Sequence, residues 1–152
     1  MAWLWPWDYL DSKGYQVLQG LFALRSGGLV GQGLGAGFAH VIPNVHTDYL
    51  FAVIGEEFGL LGTFSLLVVY LALAFWAVRL LHVVEEKRVQ MIGLGLTLLL
   101  HVQVFLVVGG ILRLVPFTGM TLPLVSFGST SLVSQFAMLG MVAGLGGKRG
   151  GD

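Results

Sequence analysis

Apolar residues run almost unbroken through three stretches, Leu60 to Leu81, Val89 to Leu112 and Leu122 to Leu145. Each is long enough to cross about 30 Å of hydrocarbon as a helix. The first carries no charge before Arg79, and past Gln90 at its start the strongly polar side chains of the second are His101 and Gln103. The third differs. Its early half holds Pro123, Ser126, Gly128, Ser129, Thr130, Ser131, Ser134 and Gln135, a density of hydroxyls suited to a packed interior or a wet cavity rather than to lipid. Upstream, Tyr15 to Ser26 has a helical period, with Gln16, Gln19, Ala23 and Ser26 on one stripe and Val17, Leu18, Leu21 and Phe22 away from it. That stretch is too short and too polar to span, so it predicts an interfacial or re-entrant helix. The run Gly27, Gly28, Gly31, Gly33, Gly35, Gly37 then predicts a loop whose backbone approaches a ligand or another helix closely. Trp3, Trp5, Trp7 and Tyr9 make an aromatic cluster of the kind found at a membrane interface.

The pattern therefore predicts an all-α fold, a polytopic helical membrane protein with about three transmembrane helices plus an outer loop that holds an interfacial or re-entrant helix. Residues 1–59 read as an extracytoplasmic loop region and 60–152 as the three-helix membrane region with a short cytoplasmic tail.

Composition agrees and narrows the classes. Of 152 residues, 56% are hydrophobic and 11% charged, against about 25% charged in a soluble domain. Eight basic residues balance eight acidic ones, and no basic run is long enough to follow a phosphate backbone, so nucleic acid is not an expected partner. Without cysteine there is neither a disulfide framework nor a thiolate metal site. Basic residues in short loops stay cytoplasmic. Lys87 and Arg88 follow the first span, Lys148 and Arg149 follow the third, and both pairs give one topology, with the segment before the first span and the Leu114 to Thr121 loop outside. An outer amino-terminal segment without a signal sequence leads to the expectation that the chain is the carboxyl-terminal part of a larger protein.

Candidate chemistry gathers in VIPNVHTDYLFAVIGEEFGLLG, Val41 to Gly62. Pro43 and Asn44 signal a turn, and Thr47 or Asp48 is placed to cap the helix that follows. An N-cap aspartate keeps one carboxylate oxygen for another task. Glu56 and Glu57 lie two turns further on, near the membrane boundary, where an acid is costly unless paired, hydrated or protonated; a functional role and an interfacial structural pair weigh equally. Gly55 and Gly59 form a small-xxx-small pair that favours close helix packing. The glycine-rich run carries neither the dinucleotide nor the phosphate-loop spacing, and the four histidines lack metal-ligand spacing, so no metal site is expected. Arg25 and Arg113 are cations able to meet a pyrophosphate, although snorkelling explains such positions more often.

Three blocks, GYQVLQGLFALRSGGLVGQGLGAG (Gly14 to Gly37), HTDYLFAVIGEEFGLLG (His46 to Gly62) and LVPFTGMTLPLVSFGSTSL (Leu114 to Leu132), resemble the carboxyl-terminal half of the SEDS proteins, the FtsW/RodA/SpoVE group. The resemblance covers nearly the whole chain, in family order. It implies a multi-pass protein of the bacterial plasma membrane that polymerises lipid II into peptidoglycan glycan strands beside a class B penicillin-binding protein, with its catalytic loop on the extracytoplasmic side. It also implies an amino-terminal SEDS half as a further partner. By the same resemblance Asp48 is the essential acid of the HTD motif, and the three spans correspond to the last three of about ten helices. Two departures stand out: Asn44 replaces the usual glutamate after Pro43, and SFGST at Ser126 to Thr130 replaces S-Y-G-G-S.

Such a polymerase needs a base for the acceptor hydroxyl, positive charge for the departing pyrophosphate and access from the lipid. Asp48 is the candidate base, with His46, Thr47, Arg25, Arg113, Ser126 and Ser129 as substrate-binding candidates and Glu56 and Glu57 as accessory acids. No cofactor is required by the residues, and a divalent cation is one way to supply the positive charge. Two other classes compete: a segment of a lipid-linked precursor transporter with Asp48 or Glu56 as a proton-coupled site, and a non-catalytic membrane scaffold binding through Gly55 and Gly59.

Overall fold

The computed structural model describes residues 13–37 and 49–147. Among them are four helices: α1 (Lys13–Gly27), α2 (Leu50–Leu81), α3 (Lys87–Ile111) and α4 (Ser129–Gly147). The last three are long and apolar enough to cross a membrane, and no residue outside the four helices is in a strand among those described. The Trp3 to Tyr9 cluster, the HTD motif and the Lys148/Arg149 pair lie outside the described residues.

α2 and α3 are antiparallel across the short turn Val83 to Glu86, and α4 packs on both. Glycine sets the approach at this end: a Cβ on Gly93 would stand 2.4 Å from Leu81 Cδ2, and one on Gly146 2.2 Å from Leu80 Cγ. Leu81, Ala77, Val84 and Val142 form a small apolar cluster there. A larger core at the opposite end gathers Tyr49, Phe51 and Tyr70 of the α2 region, Leu100, Val104 and Ile111 of α3, Ala23 of α1 and Leu122. The outward faces stay apolar, as in Leu61, Phe64, Val69 and Phe75 of α2, which is what a helix among lipid tails or other membrane helices requires.

α1 matches the expected short helix, but its inward face is not the one its polar stripe outlined. Val17, Leu18, Gly20, Ala23 and Gly27 are buried. Ala23, grouped with the polar stripe by spacing, belongs to the core, because the small residues of α1 are what let it lie on α2: a Cβ on Gly27 would come 1.8 Å from Gly55 O.

α2 is interrupted at Gly59, whose φ of 67° and ψ of −161° are non-helical. In an unbroken helix Leu60 N–H and Leu61 N–H would donate to the carbonyls of Glu56 and Glu57. Here they donate instead to Gly28 O (2.9 Å) and Leu29 O (3.2 Å), while Glu56 O and Glu57 O accept from Gln32 N (2.9 Å) and Gly33 N (3.0 Å). Two missing rungs are thus replaced by four bonds to the glycine-rich loop, which pairs all four of the groups those rungs would have joined. From Leu60 the helix still spans about 33 Å at 1.5 Å per residue.

The third span begins later than the apolar run at Leu122. Leu122 to Gly128 is not helical, and α4 starts at Ser129. Pro123 has no N–H to give, and Leu124 adopts a φ of 64°. The segment is nevertheless buried at Leu122, Pro123 and Ser126, which is possible because side chains of α2, α3 and α4 satisfy its backbone, as described next.

Candidate functional site

α1, the start of α2 and the segment after α3 meet on one ring. Tyr49 is the N-cap of α2 and makes no side-chain cap hydrogen bond, so the cap position falls one residue after Asp48 and two after Thr47, the residues expected from sequence. Its side chain serves packing instead. It is 2% exposed, stacks on Phe117 at a centroid distance of 4.9 Å and 26° between planes, and presses on Gly20, where a Cβ would stand 2.8 Å from Tyr49 Cε1. The candidate base Asp48 precedes Tyr49 directly in the chain; with His46 and Thr47 it lies outside the described residues.

The two accessory acids face the glycine-rich loop. Glu56 is buried at 3% exposure. Its Oε1 lies 3.2 Å from the Ser26 hydroxyl, which also approaches Ala23 O at 2.8 Å and has one proton to give. Its carboxyl packs so tightly on Gly37 that a Cβ there would stand 2.5 Å from Glu56 Cδ. Glu57 accepts a hydrogen bond from Gly35 N at 3.0 Å. Side chain and backbone of both acids therefore hold the same loop. Gly55 packs under Leu24 of α1, as close helix packing requires, whereas Gly59 meets Leu29 and Gly31 of the loop rather than another helix. Beside the break, a cavity of about 250 Å³ is lined by Leu24, Phe51, Gly55, Gly59, Phe64 and Leu112 among others.

The remaining candidates sit on different elements. Arg25 is exposed in the last turn of α1. Arg113 follows α3 with a φ of 62°; its N–H reaches Gly110 O (3.2 Å) and that of Leu114 reaches Gly109 O (2.8 Å), the paired bonds of a Schellman stop with arginine where glycine is usual. Ser126 is 1% exposed, and its hydroxyl accepts from Leu122 N at 3.0 Å. Its polarity is spent on the chain itself. Ser129 is exposed at the start of α4. No group of three His, Cys, Asp or Glu side chains able to hold a metal ion occurs among the described residues.

Three residues that sequence reading left without a role fix the segment after α3. Tyr70 of α2 donates its hydroxyl to Pro123 O, Gln103 of α3 donates to Thr121 O at 3.0 Å, and Gln135 of α4 accepts from Leu124 N at 2.8 Å. His101 of α3 sits between Thr97 O (2.7 Å) and Tyr70 O (2.8 Å), linking α3 to the same tyrosine. The available signal was one phenol or amide within each apolar span, since such a group needs a partner in a dry interior.

The sequence matches the model of the FtsW/RodA/SpoVE family, described as "Cell cycle protein", over residues 1–149. The chain belongs to the FtsW/RodA/SpoVE family. Among its curated relatives is "Peptidoglycan glycosyltransferase RodA" of Mycobacterium tuberculosis, 37% identical over 142 residues that cover 93% of this chain and 30% of that protein. "Probable peptidoglycan glycosyltransferase FtsW" of Geobacter metallireducens is 33% identical over 93% of this chain and 38% of its own length. The protein of the same name from Bacillus subtilis is 34% identical over 92% of this chain and 35% of its own. The chain thus spans about a third of the length of these relatives. In FtsW/RodA/SpoVE terms, the two irregular segments described above are the glycine-rich block and the LPLVSFGST block, and each is built into the membrane helices by its own set of bonds.

Proposed function

We propose that this chain forms part of a peptidoglycan glycosyltransferase that joins lipid II units into glycan strands, in the plasma membrane of a bacterium and beside a class B penicillin-binding protein. The observation that carries this reading is the match of 93% of the chain to a relative named as that enzyme. In the proposed step Asp48 takes the proton of the acceptor sugar's 4-hydroxyl as that oxygen bonds to the donor's anomeric carbon. The bond from that carbon to the lipid pyrophosphate breaks, and the pyrophosphate departs with the electron pair. Tyr49, the next residue in the chain after Asp48, is itself held against α1 and Phe117 by its ring. Arg113 and Arg25 are the proposed cations for the leaving group, alone or with a divalent ion. The apolar cavity beside Gly59 suits a polyprenyl tail.

Asp48→Asn tests the reading, because Asn caps a helix as well as Asp but takes no proton. The protein, supplied with the amino-terminal half that its relatives carry, is given lipid II and scored for glycan strands. A general base contributes about 10²- to 10⁴-fold, so the variant is expected to lose at least about a hundredfold in rate with membrane level and partner binding unchanged. Near-parental polymerisation would return the role to Glu56 or Glu57, and lipid II flipped without being polymerised would assign transport instead. The proposed sidedness is checked by single cysteines: Thr118→Cys is expected to react with an impermeant thiol reagent from outside and Glu86→Cys is not.

A further inference from the structure

The opposite end of the bundle carries a second feature, remote from the Asp48 end and independent of the reading above. Where the last turns of α2 and α4 cross, Leu80 lies directly on Gly146. Beside that crossing is a notch of about 240 Å³ lined by Trp76, Arg79, Leu80, Val83 and Gly146. Trp76 and Arg79 are one turn apart on α2 and both are exposed, as is Val83. Among the described residues Arg79 makes no ion pair and no carboxylate lines the notch. At this same end of the bundle the turn after α2 carries Glu85 and Glu86, and the first turn of α3 carries Lys87 and Arg88.

We propose that this notch is a binding site for an anionic phospholipid of the surrounding membrane, with the lipid phosphate on the Arg79 guanidinium. Three features fix the class of occupant. A guanidinium presents a fork of donors that matches phosphate oxygens. An indole at this position occupies the headgroup boundary, and Leu80 and Val83 offer apolar wall to the start of an acyl chain. Because no acid is among the described residues of the lining, the ammonium of a zwitterionic headgroup gains no ion pair there, whereas the uncompensated negative charge of an anionic headgroup meets Arg79 with Lys87 and Arg88 beyond it. The chains also separate this occupant from free phosphate, which leaves the apolar wall uncovered.

Trp76 reports on the notch directly. The full-length protein is placed in phosphatidylcholine nanodiscs, and lipid with brominated chains is titrated in as either phosphatidylglycerol or phosphatidylcholine. The quenching of Trp76 is taken as the difference between the parent and Trp76→Phe. Brominated phosphatidylglycerol is expected to reach half-quenching at about fivefold lower mole fraction, the equivalent of about 1 kcal/mol for one cation near the surface. Arg79→Gln is expected to bring the two curves together while leaving the melting temperature unchanged, and Arg79→Lys to keep part of the separation. Equal quenching by both lipids in the parent would show unselective boundary lipid and overturn the proposal. Absence of quenching by either would show the notch covered by protein and overturn it as well. Reversal of the quenching by inorganic phosphate would reassign the site to a free anion.

Discussion

The segment from Gly28 to Gly37 and the segment from Arg113 to Gly128 both bring non-helical backbone against membrane helices, where each unpaired N–H or C=O is expensive. They meet that cost in opposite ways. The first bonds backbone to backbone, entering the gap at Gly59 with its own N–H and C=O groups. The approach is so close that a Cβ on Gly31 would stand 2.1 Å from Glu57 O. The second, past the backbone bonds that close the end of α3, is reached by the side chains of Tyr70, Gln103 and Gln135, one from each long helix, and by its own Ser126. A backbone seam demands glycine where the two chains approach, and here the Glu57 carboxylate adds one side-chain bond, to Gly35 N–H. A side-chain clamp demands particular polar atoms.

The largest expected effect follows from forcing the seam to open. Gly59→Ala replaces a residue whose torsions suit glycine alone with the best helix former, and its Cβ would stand 2.4 Å from Gly31 N. α2 is then expected to close its own rungs, Leu60 N to Glu56 O and Leu61 N to Glu57 O, expelling the loop. At roughly 1 kcal/mol net per hydrogen bond, the loop loses about 4 kcal/mol of attachment. Hydrogen exchange at the amides of Gln32 and Gly33 checks this, with protection falling by more than about a hundredfold. Unchanged protection would mean that the break is imposed by the rest of the fold rather than permitted by Gly59.

The clamp is expected to respond to chemistry instead. Gln135→Leu keeps the volume but leaves Leu124 N–H without its acceptor, which costs about 1–3 kcal/mol for a buried donor. Thermal unfolding of the full-length protein in detergent measures the loss. Exchange at Leu124 should rise while Gln32 and Gly33 stay protected. If the loop amides open as well, the two segments are one cooperative unit and the comparison between them fails.

These two designs were unequally legible in the sequence. The three spans and the short helix followed from apolar run length and a period of 3.6, signals that depend only on local residues. The break at Gly59 did not. Gly55, Gly59 and Gly62 have the spacing of helix packing, and nothing local separates a glycine that admits a neighbour from one that leaves helical space; the partner, Gly28 to Gly33, lies some thirty residues away in the chain. Around Leu122 the signal was present but outweighed, since Pro123 and the hydroxyls interrupt an apolar run that is otherwise long enough to span. Ser126 shows the limit for site residues. Sequence identifies a polar atom in an apolar setting, but whether it faces substrate or its own backbone is decided by tertiary contacts, and here the backbone takes it.

The smallest expected effect sharpens the seam by separating torsion from contact. Gly28 has a φ of 55° and Gly31 one of 88°, so both occupy left-handed space that costs a non-glycine residue roughly 1–2 kcal/mol. A Cβ on Gly28, however, meets nothing within 4 Å, whereas one on Gly31 meets the backbone of Glu57 and Gly59. Gly28→Ala should therefore cost only the torsional amount, about 1 kcal/mol, with the bond from Leu60 N to Gly28 O intact. Gly31→Ala should add an overpacking cost of about 1–3 kcal/mol. Paired melts give the contact contribution as the difference between the two variants. If Gly28→Ala is as damaging as Gly31→Ala, left-handed torsion rather than close approach explains the glycines, and a left-handed Asn at position 31 should then restore most of the loss, because Asn tolerates that torsion but not a backbone 2.1 Å away.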